Sequence, residues 1–244
     1  MDLGLEGTTA IVCGGSSGIG FAIASELRRE GANVVISARR EGPLEEAAQR
    51  IGAVGIAADL RQGPDLDRLA DATAERFGGI DVIVNSGAFV KPTEVVDLDE
   101  ENLAEAFESF LFSAIRLTKR ALPHLIESGR GRVVNIAARA VREPNEHHAT
   151  SAVSRLGLVG WSKMLSNEMA GKGLTVNTIA SGWIDTEGVK IEAEQLKRLA
   201  PIPVGRPGTT DEMAAIVTFL ASGRCGYLTG AVLPVDGGLT RFLL

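Results

Sequence analysis

The sequence has a single tyrosine, two cysteines and three histidines in 244 residues. Each scarcity narrows what the chain can be. Cys13 and Cys225 are too few for a disulfide framework and show no metal-site spacing. No long basic run exists and the formal net charge is −6, which argues against a nucleic-acid partner. No stretch of about 20 apolar residues is present to span a bilayer. The opening Met1-Asp2-Leu3-Gly4-Leu5-Glu6 is acidic and lacks the apolar stretch of a targeting segment. A soluble, cytoplasmic protein with reduced thiols, bound neither to membrane nor to nucleic acid, is the expectation.

What is present is an alternation. The chain is 45% hydrophobic, enough for one substantial core, so residues 1–244 are expected to form a single domain. Short β-branched runs at Thr8–Cys13, Asn33–Ser37, Val54–Ala58, Asp81–Asn85, Arg132–Ile136, Leu174–Ile179 and Ala231–Val235 alternate with longer helical patterns. Ser151–Met169 is one long helix, and the stretch from Asp97 to Ser128 is largely helical. Two helix starts stand out, an acidic one at Asp97-Leu98-Asp99-Glu100 and a capping box at Thr209-Thr210-Asp211-Glu212. Strands alternating with such helices imply a Rossmann-like, doubly wound α/β fold. It would have about seven parallel strands with helices on both faces, and strands apolar nearly throughout. Lys190–Pro203 is charged and ends in Pro201-Ile202-Pro203. The segment 187–203 reads either as a substrate lid or as a solvated surface helix.

The first strand runs into Gly14-Gly15-Ser16-Ser17-Gly18-Ile19-Gly20, and a helical pattern follows at once. Glycines let a backbone turn tightly and approach a ligand, and the free N–H groups of a helix start attract an anion. This stretch is therefore expected to bind a phosphate. Packing alone is the plainer alternative.

At this point the chain resembles the short-chain dehydrogenase/reductase family over nearly its whole length. Cys13–Gly20 is similar to that family's Thr-Gly-x-x-x-Gly-Ile-Gly. Asp59-Leu60 resembles the acid that approaches adenine after the third strand, and Asn85-Ser86-Gly87-Ala88 is a variant of Asn-Asn-Ala-Gly. Leu117-Thr118 with Leu122-Pro123 matches the dimer-forming helix. Asn177, Ser181, Gly182, Ile184 and Thr186 fall in the region that meets the nicotinamide end. Gly205-Arg206-Pro207-Gly208, Leu228-Thr229-Gly230 and Val235-Asp236-Gly237-Gly238 match its C-terminal signature. The resemblance implies a dinucleotide-binding oxidoreductase acting on a small molecule, as a homodimer or homotetramer. After the second strand stand Ala38, Arg39 and Arg40 where a carboxylate would select NAD. Guanidinium groups there favour the 2′-phosphate of NADP, unless both are ordinary surface charges. Ser16 and Ser17 would add hydroxyl contacts or cap the helix.

The same resemblance exposes a departure. Family reductases use an Asn, a Ser and a Tyr-x-x-x-Lys pair. Aligned on the flanking motifs, these positions hold Phe110, Ala138, Ser151 and Arg155, and no Tyr-x-x-x-Lys occurs anywhere. Alanine and phenylalanine offer no proton, and arginine stays protonated. It can still bond the cofactor ribose. Tyr227, in the C-terminal motif, offers no relocated phenol. His148, Ser151 and Arg155 share one helical face at i, i+3 and i+7 if the helix starts early, with Arg139, Glu143 and His147 nearby. A histidine there would serve as general acid or base. The alternative is an exposed polar loop without a catalytic role.

Three functions remain open. The first is an NADP(H)-linked oxidoreductase with an atypical proton donor, either His148 or a water held by Ser151 and Arg155. The second is a cofactor-binding partner subunit without turnover. The third is a lyase, dehydratase or isomerase in which Arg155 or Arg139 binds an anionic substrate.

Overall fold

The structure, a computed structural model, describes residues 2–87, 90, 93–144, 147–186 and 202–242. The segment read as a lid lies outside these residues except at Ile202 and Pro203. Strand β1 (Thr9–Cys13) leads through the glycine turn into helix α1 (Gly18–Arg29). Then come β2 (Asn33–Ala38), α2 (Glu41–Ile51), β3 (Val54–Ala57), α3 (Gly63–Phe77) and β4 (Val82–Asn85). Helix α4 (Glu100–Phe107) passes through a π turn (Glu108–Phe112) into α5 (Ser113–Glu127). Strand β5 (Arg132–Ala138), helix α6 (Ala149–Met169) and β6 (Thr175–Ser181) follow. A two-residue pair, β7 (Ile184–Asp185) with β8 (Gly208–Thr209), precedes α7 (Thr210–Ala221) and β9 (Val232–Val235).

Seven strands form one parallel sheet in the order β3-β2-β1-β4-β5-β6-β9. In register, Ile11 of β1 lies between Val35 of β2 and Ile83 of β4. Side-chain direction alternates along each strand, so β1 supplies two cores at once. Ala10 and Val12 pack with Ile23 and Leu27 of α1 and with Met213 and Val217 of α7. Ile11 and Cys13 pack on the opposite face with Leu66 and Leu69 of α3 and Leu117 and Leu125 of α5. Helices therefore cover both faces, which is why the strands carry no polar face.

The sheet order reverses between β1 and β4. Open parallel sheets leave a crevice beyond the carboxyl ends of the strands at such a switch point. That crevice holds the glycine turn.

Three local features differ from the sequence reading. The helix start near Asp97 lies two residues later: Asp97 closes a 3₁₀ turn, and Asp99 is the cap, accepting from the Asn102 backbone N–H at 2.8 Å. The helical region ending near Ser128 contains the π turn, which carries Phe110. The β7–β8 pair was not expected, because two residues carry no readable period. The capping box at Thr209 forms as expected, with both Thr209 and Glu212 side chains engaged.

Candidate active site

The glycine turn is built for close backbone approach. Gly14 sits at φ +66°, and a methyl group there would stand 2.7 Å from Gly87 Cα, so the ends of β1 and β4 touch backbone to backbone. A methyl on Gly20 would stand 2.3 Å from the Gly14 carbonyl oxygen. Ser17 occupies the cap position of α1, yet its side chain makes no capping bond. The expected capping role of its hydroxyl is therefore not seen. The first backbone N–H groups of α1 have no intrahelical partners. Gly14, Ser16, Ser17, Gly18, Ile19 and Gly20 line a cleft of about 890 Å³.

Arg39 and Arg40 stand exposed on the rim of this cleft, directly after β2. Among the described residues neither forms an ion pair. Across from them, Asp59 is already engaged. Arg61 donates to its two oxygens from Nε at 3.0 Å and Nη2 at 2.7 Å, and reaches Glu105 of α4 from Nη1 at 2.7 Å. Those bonds, with the charge of Arg61, hold the Asp59 carboxyl below its usual range. Leu60 lines the cleft beside it. Sequence reasoning missed Arg61, because nothing in spacing announces a side chain that folds back two residues.

Asn85 turns inward: its Nδ2 donates to Asn135 Oδ1 at 2.7 Å, and Asn135 Nδ2 donates to Ser162 Oγ at 2.8 Å. The side chain braces β4, β5 and α6, while Gly87 brings the backbone to the cleft. At the far end, a methyl on Gly182 would meet Asp236 Cα at 2.6 Å, and Thr186 Cγ2 stands 3.6 Å from the position a methyl on Gly18 would take. Gly182 and Thr186 line the cleft, whereas Ile184 is buried in the core.

Three of the four altered positions line the cleft. Ala138 ends β5 and Phe110 comes from the π turn, and both line the cleft with Arg155. Ser151 is buried in the first turn of α6, and Arg155 Nη1 donates to its Oγ. The guanidinium carbon stands over the Phe110 ring, 3.7 Å from its centroid. Its Nε is sealed from solvent with no hydrogen-bond partner. Burial pushes the arginine down to about 10, which leaves it a cation at neutral pH. The structure thus brings Ser151 and Arg155 together. His148 is the cap residue of α6, not a member of its face, and its ring stands edge-on to Trp183 at 6.2 Å. His147 turns away to pair with Glu94, and Arg139 pairs with Glu143 at 3.1 Å. Among the described residues no three His, Cys, Asp or Glu side chains gather as metal ligands.

The pattern of the family described as enoyl-(acyl carrier protein) reductase matches residues 14–240. The chain is 33% identical to the 3-oxoacyl-[acyl-carrier-protein] reductase FabG of Vibrio cholerae, over 97% of this chain and 99% of that one. The Escherichia coli FabG is 31% identical with the same coverage. Among solved structures, L-sorbose reductase from Gluconobacter frateurii, complexed with NADPH and L-sorbose, superposes with a TM-score of 0.92 at 28% identity, covering both chains fully. A Serratia marcescens short-chain dehydrogenase/reductase variant does so with a TM-score of 0.89 at 31% identity, over 97% and 99% of the two chains. A shared sheet order, a glycine turn at its switch point and relatives that align end to end make this chain a member of the short-chain dehydrogenase/reductase family of oxidoreductases.

Proposed function

We propose that the cleft binds NADP(H) and that the protein is an NADP(H)-linked oxidoreductase whose proton donor is not a tyrosine. The observation that carries the cofactor is the position of Arg39 and Arg40: two exposed guanidinium groups without ion-pair partners, on the rim where a 2′-phosphate would lie. Arginine bonds phosphate with charge-assisted, often bidentate contacts. The side-chain-free contact of Gly14 with Gly87 and the open start of α1 fit the pyrophosphate. The L-sorbose reductase that superposes on this chain holds NADPH.

A bound nicotinamide supplies the hydride chemistry. The chain's own part falls to Ser151 and Arg155. Because Arg155 donates to Ser151 Oγ, the hydroxyl hydrogen of Ser151 is left to bond a substrate oxygen. The fixed cation beside it stabilises negative charge developing on that oxygen. Proton delivery then passes through Ser151, a water beside it, or His148 at the head of the same helix. Replacing a matched general acid in this way costs about 10²–10⁴-fold in rate, so slow turnover is expected.

Calorimetric titration with NADPH, NADP, NADH and NAD tests the reading. NADPH should bind at least about tenfold more tightly than NADH, and the double replacement Arg39→Ala, Arg40→Ala should erase that margin. Equal affinities would overturn the NADP assignment. Failure to bind any of the four would overturn the oxidoreductase and leave a non-redox enzyme. Binding without hydride transfer to any carbonyl compound would favour a cofactor-binding partner subunit, a reading that the protonless Phe110 and Ala138 support.

We also propose a homodimer or homotetramer. Phe112, Val153, Leu156 and Met164 are exposed on the surface of the π turn and α6, and Ile216 and Phe219 on α7. Light scattering should give a mass two or four times that of the chain. A cytoplasmic location fits this reading and the two free, buried cysteines.

A further inference from the structure

Arg155 is a cation that lines the cleft. Among the described residues it makes no ion pair. The two carboxylates that line the same cleft, Asp59 and Glu105, are both held by Arg61. Glu143, on the loop before α6, is taken by Arg139. A guanidinium removed from water without an anion is costly, and such groups are normally paired.

The surroundings also restrict how a partner could approach. Phe110 covers one face of the guanidinium at 3.7 Å, and Nε is sealed. Arg155 lines the cleft, and its Nη1 donates to the Ser151 hydroxyl. Ala138 and Ser151 are small residues where the family places a serine and a tyrosine. A planar fork with a hydroxyl beside it matches a planar carboxylate, whose two oxygens accept in-plane bonds.

We infer that the guanidinium of Arg155 forms a subsite for a carboxylate, beside the Ser151 hydroxyl that bonds the reacting oxygen, so that the substrate is an oxo acid or hydroxy acid rather than an uncharged carbonyl compound. The subsite rests on the proposed NADP(H) reading only for the reaction. Recognition of the carboxylate stands on the arginine itself.

The test compares acetoacetate with its uncharged methyl ester. With the protein saturated with NADPH, binding of each is followed by nicotinamide fluorescence. The acid should bind at least about tenfold more tightly than the ester, in line with a charge-assisted hydrogen-bonded pair. Arg155→Lys, which keeps the charge and loses the fork, should narrow that ratio several-fold. Arg155→Met should abolish it. Equal affinities of acid and ester in the unaltered protein, or an unchanged ratio in Arg155→Lys, would overturn the subsite and leave the cofactor assignment standing. If NADPH itself does not bind, the cofactor assignment fails. The same acid-against-ester comparison on the free protein, read from tryptophan fluorescence, then decides the subsite alone.

Discussion

The guanidinium carbon of Arg155 lies 3.7 Å from the centroid of the Phe110 ring. This stack joins the π turn to α6 and fixes the orientation of the cation below the cleft. Phe110→Leu keeps an apolar side chain of similar reach but removes the aromatic face. It should lower stability by about 1–2 kcal/mol, the range for a partly desolvated cation–π contact plus modest repacking. A shifted urea midpoint at constant slope would show it. A midpoint equal to that of the unaltered protein would mean that the stack is contact without energy.

The glycine turn predicts a contrast between two alanine replacements. Gly14→Ala meets both a positive φ and the Gly87 backbone at 2.7 Å, so the ends of β1 and β4 must separate. A loss of about 2 kcal/mol or more is expected, together with loss of dinucleotide binding. Gly42, in the first turn of α2, has nothing within 4 Å of an added methyl and no positive φ. Gly42→Ala should stabilise by about 0.5 kcal/mol and leave binding unchanged. Thermal melts of the two variants with and without NADPH measure both effects.

Acid should act on the start of α7 only at low pH. Hydrogen bonds from Arg206, then from the Thr209 backbone, hold the Glu212 carboxyl down at about 2, against an ordinary value of 4.5. The folded value is the lower one. The capping contribution is therefore complete above about 4.5 and disappears as the pH falls through about 2. Side-chain carboxyl shifts followed by NMR during acid titration would show this. In Arg206→Ala the midpoint should move up toward the ordinary value. A midpoint near 4.5 in the unaltered protein would remove the capping pair from the account.

Both thiols should be inert in the folded protein. Burial pushes Cys13 up to about 12, partly offset by a hydrogen bond with Ser37, and burial raises Cys225 as well. The thiolate is the reactive form. An aromatic disulfide reagent at pH 8 should therefore label neither cysteine until denaturant is added, and both afterwards. Rapid labelling of one thiol in native buffer would show that its strand or turn opens.

Much of the fold was legible because it rests on period and punctuation. The apolar runs from Thr9–Cys13 to Val232–Val235 needed only β-branched residues and flanking glycines to be placed. The Thr209–Glu212 box needed two side chains at fixed spacing. What escaped depends on tertiary packing. The π turn at Glu108–Phe112 is an insertion of one residue into a helical path, which composition does not reveal. Asp99 rather than Asp97 became the cap because the chain first makes a 3₁₀ turn. In the site, Ser151 and Arg155 were paired by helical spacing, and the structure bonds them. The stack of Arg155 on Phe110, 45 residues earlier in the chain, and the grip of Arg61 on Asp59 and Glu105 are contacts that no local pattern encodes.

The bare contact between Gly14 and Gly87 sets a division of labour for anyone wishing to redesign this protein. No side chain can be added at the junction of β1 and β4 without prising the sheet apart, so Gly14 and Gly87 offer no adjustable position. Arg39 and Arg40, by contrast, follow the end of β2, and among the described residues neither side chain forms an ion pair. Under the proposed function, preference between the two nicotinamide dinucleotides would be rewritten at those two side chains without breaking an ion pair among the described residues.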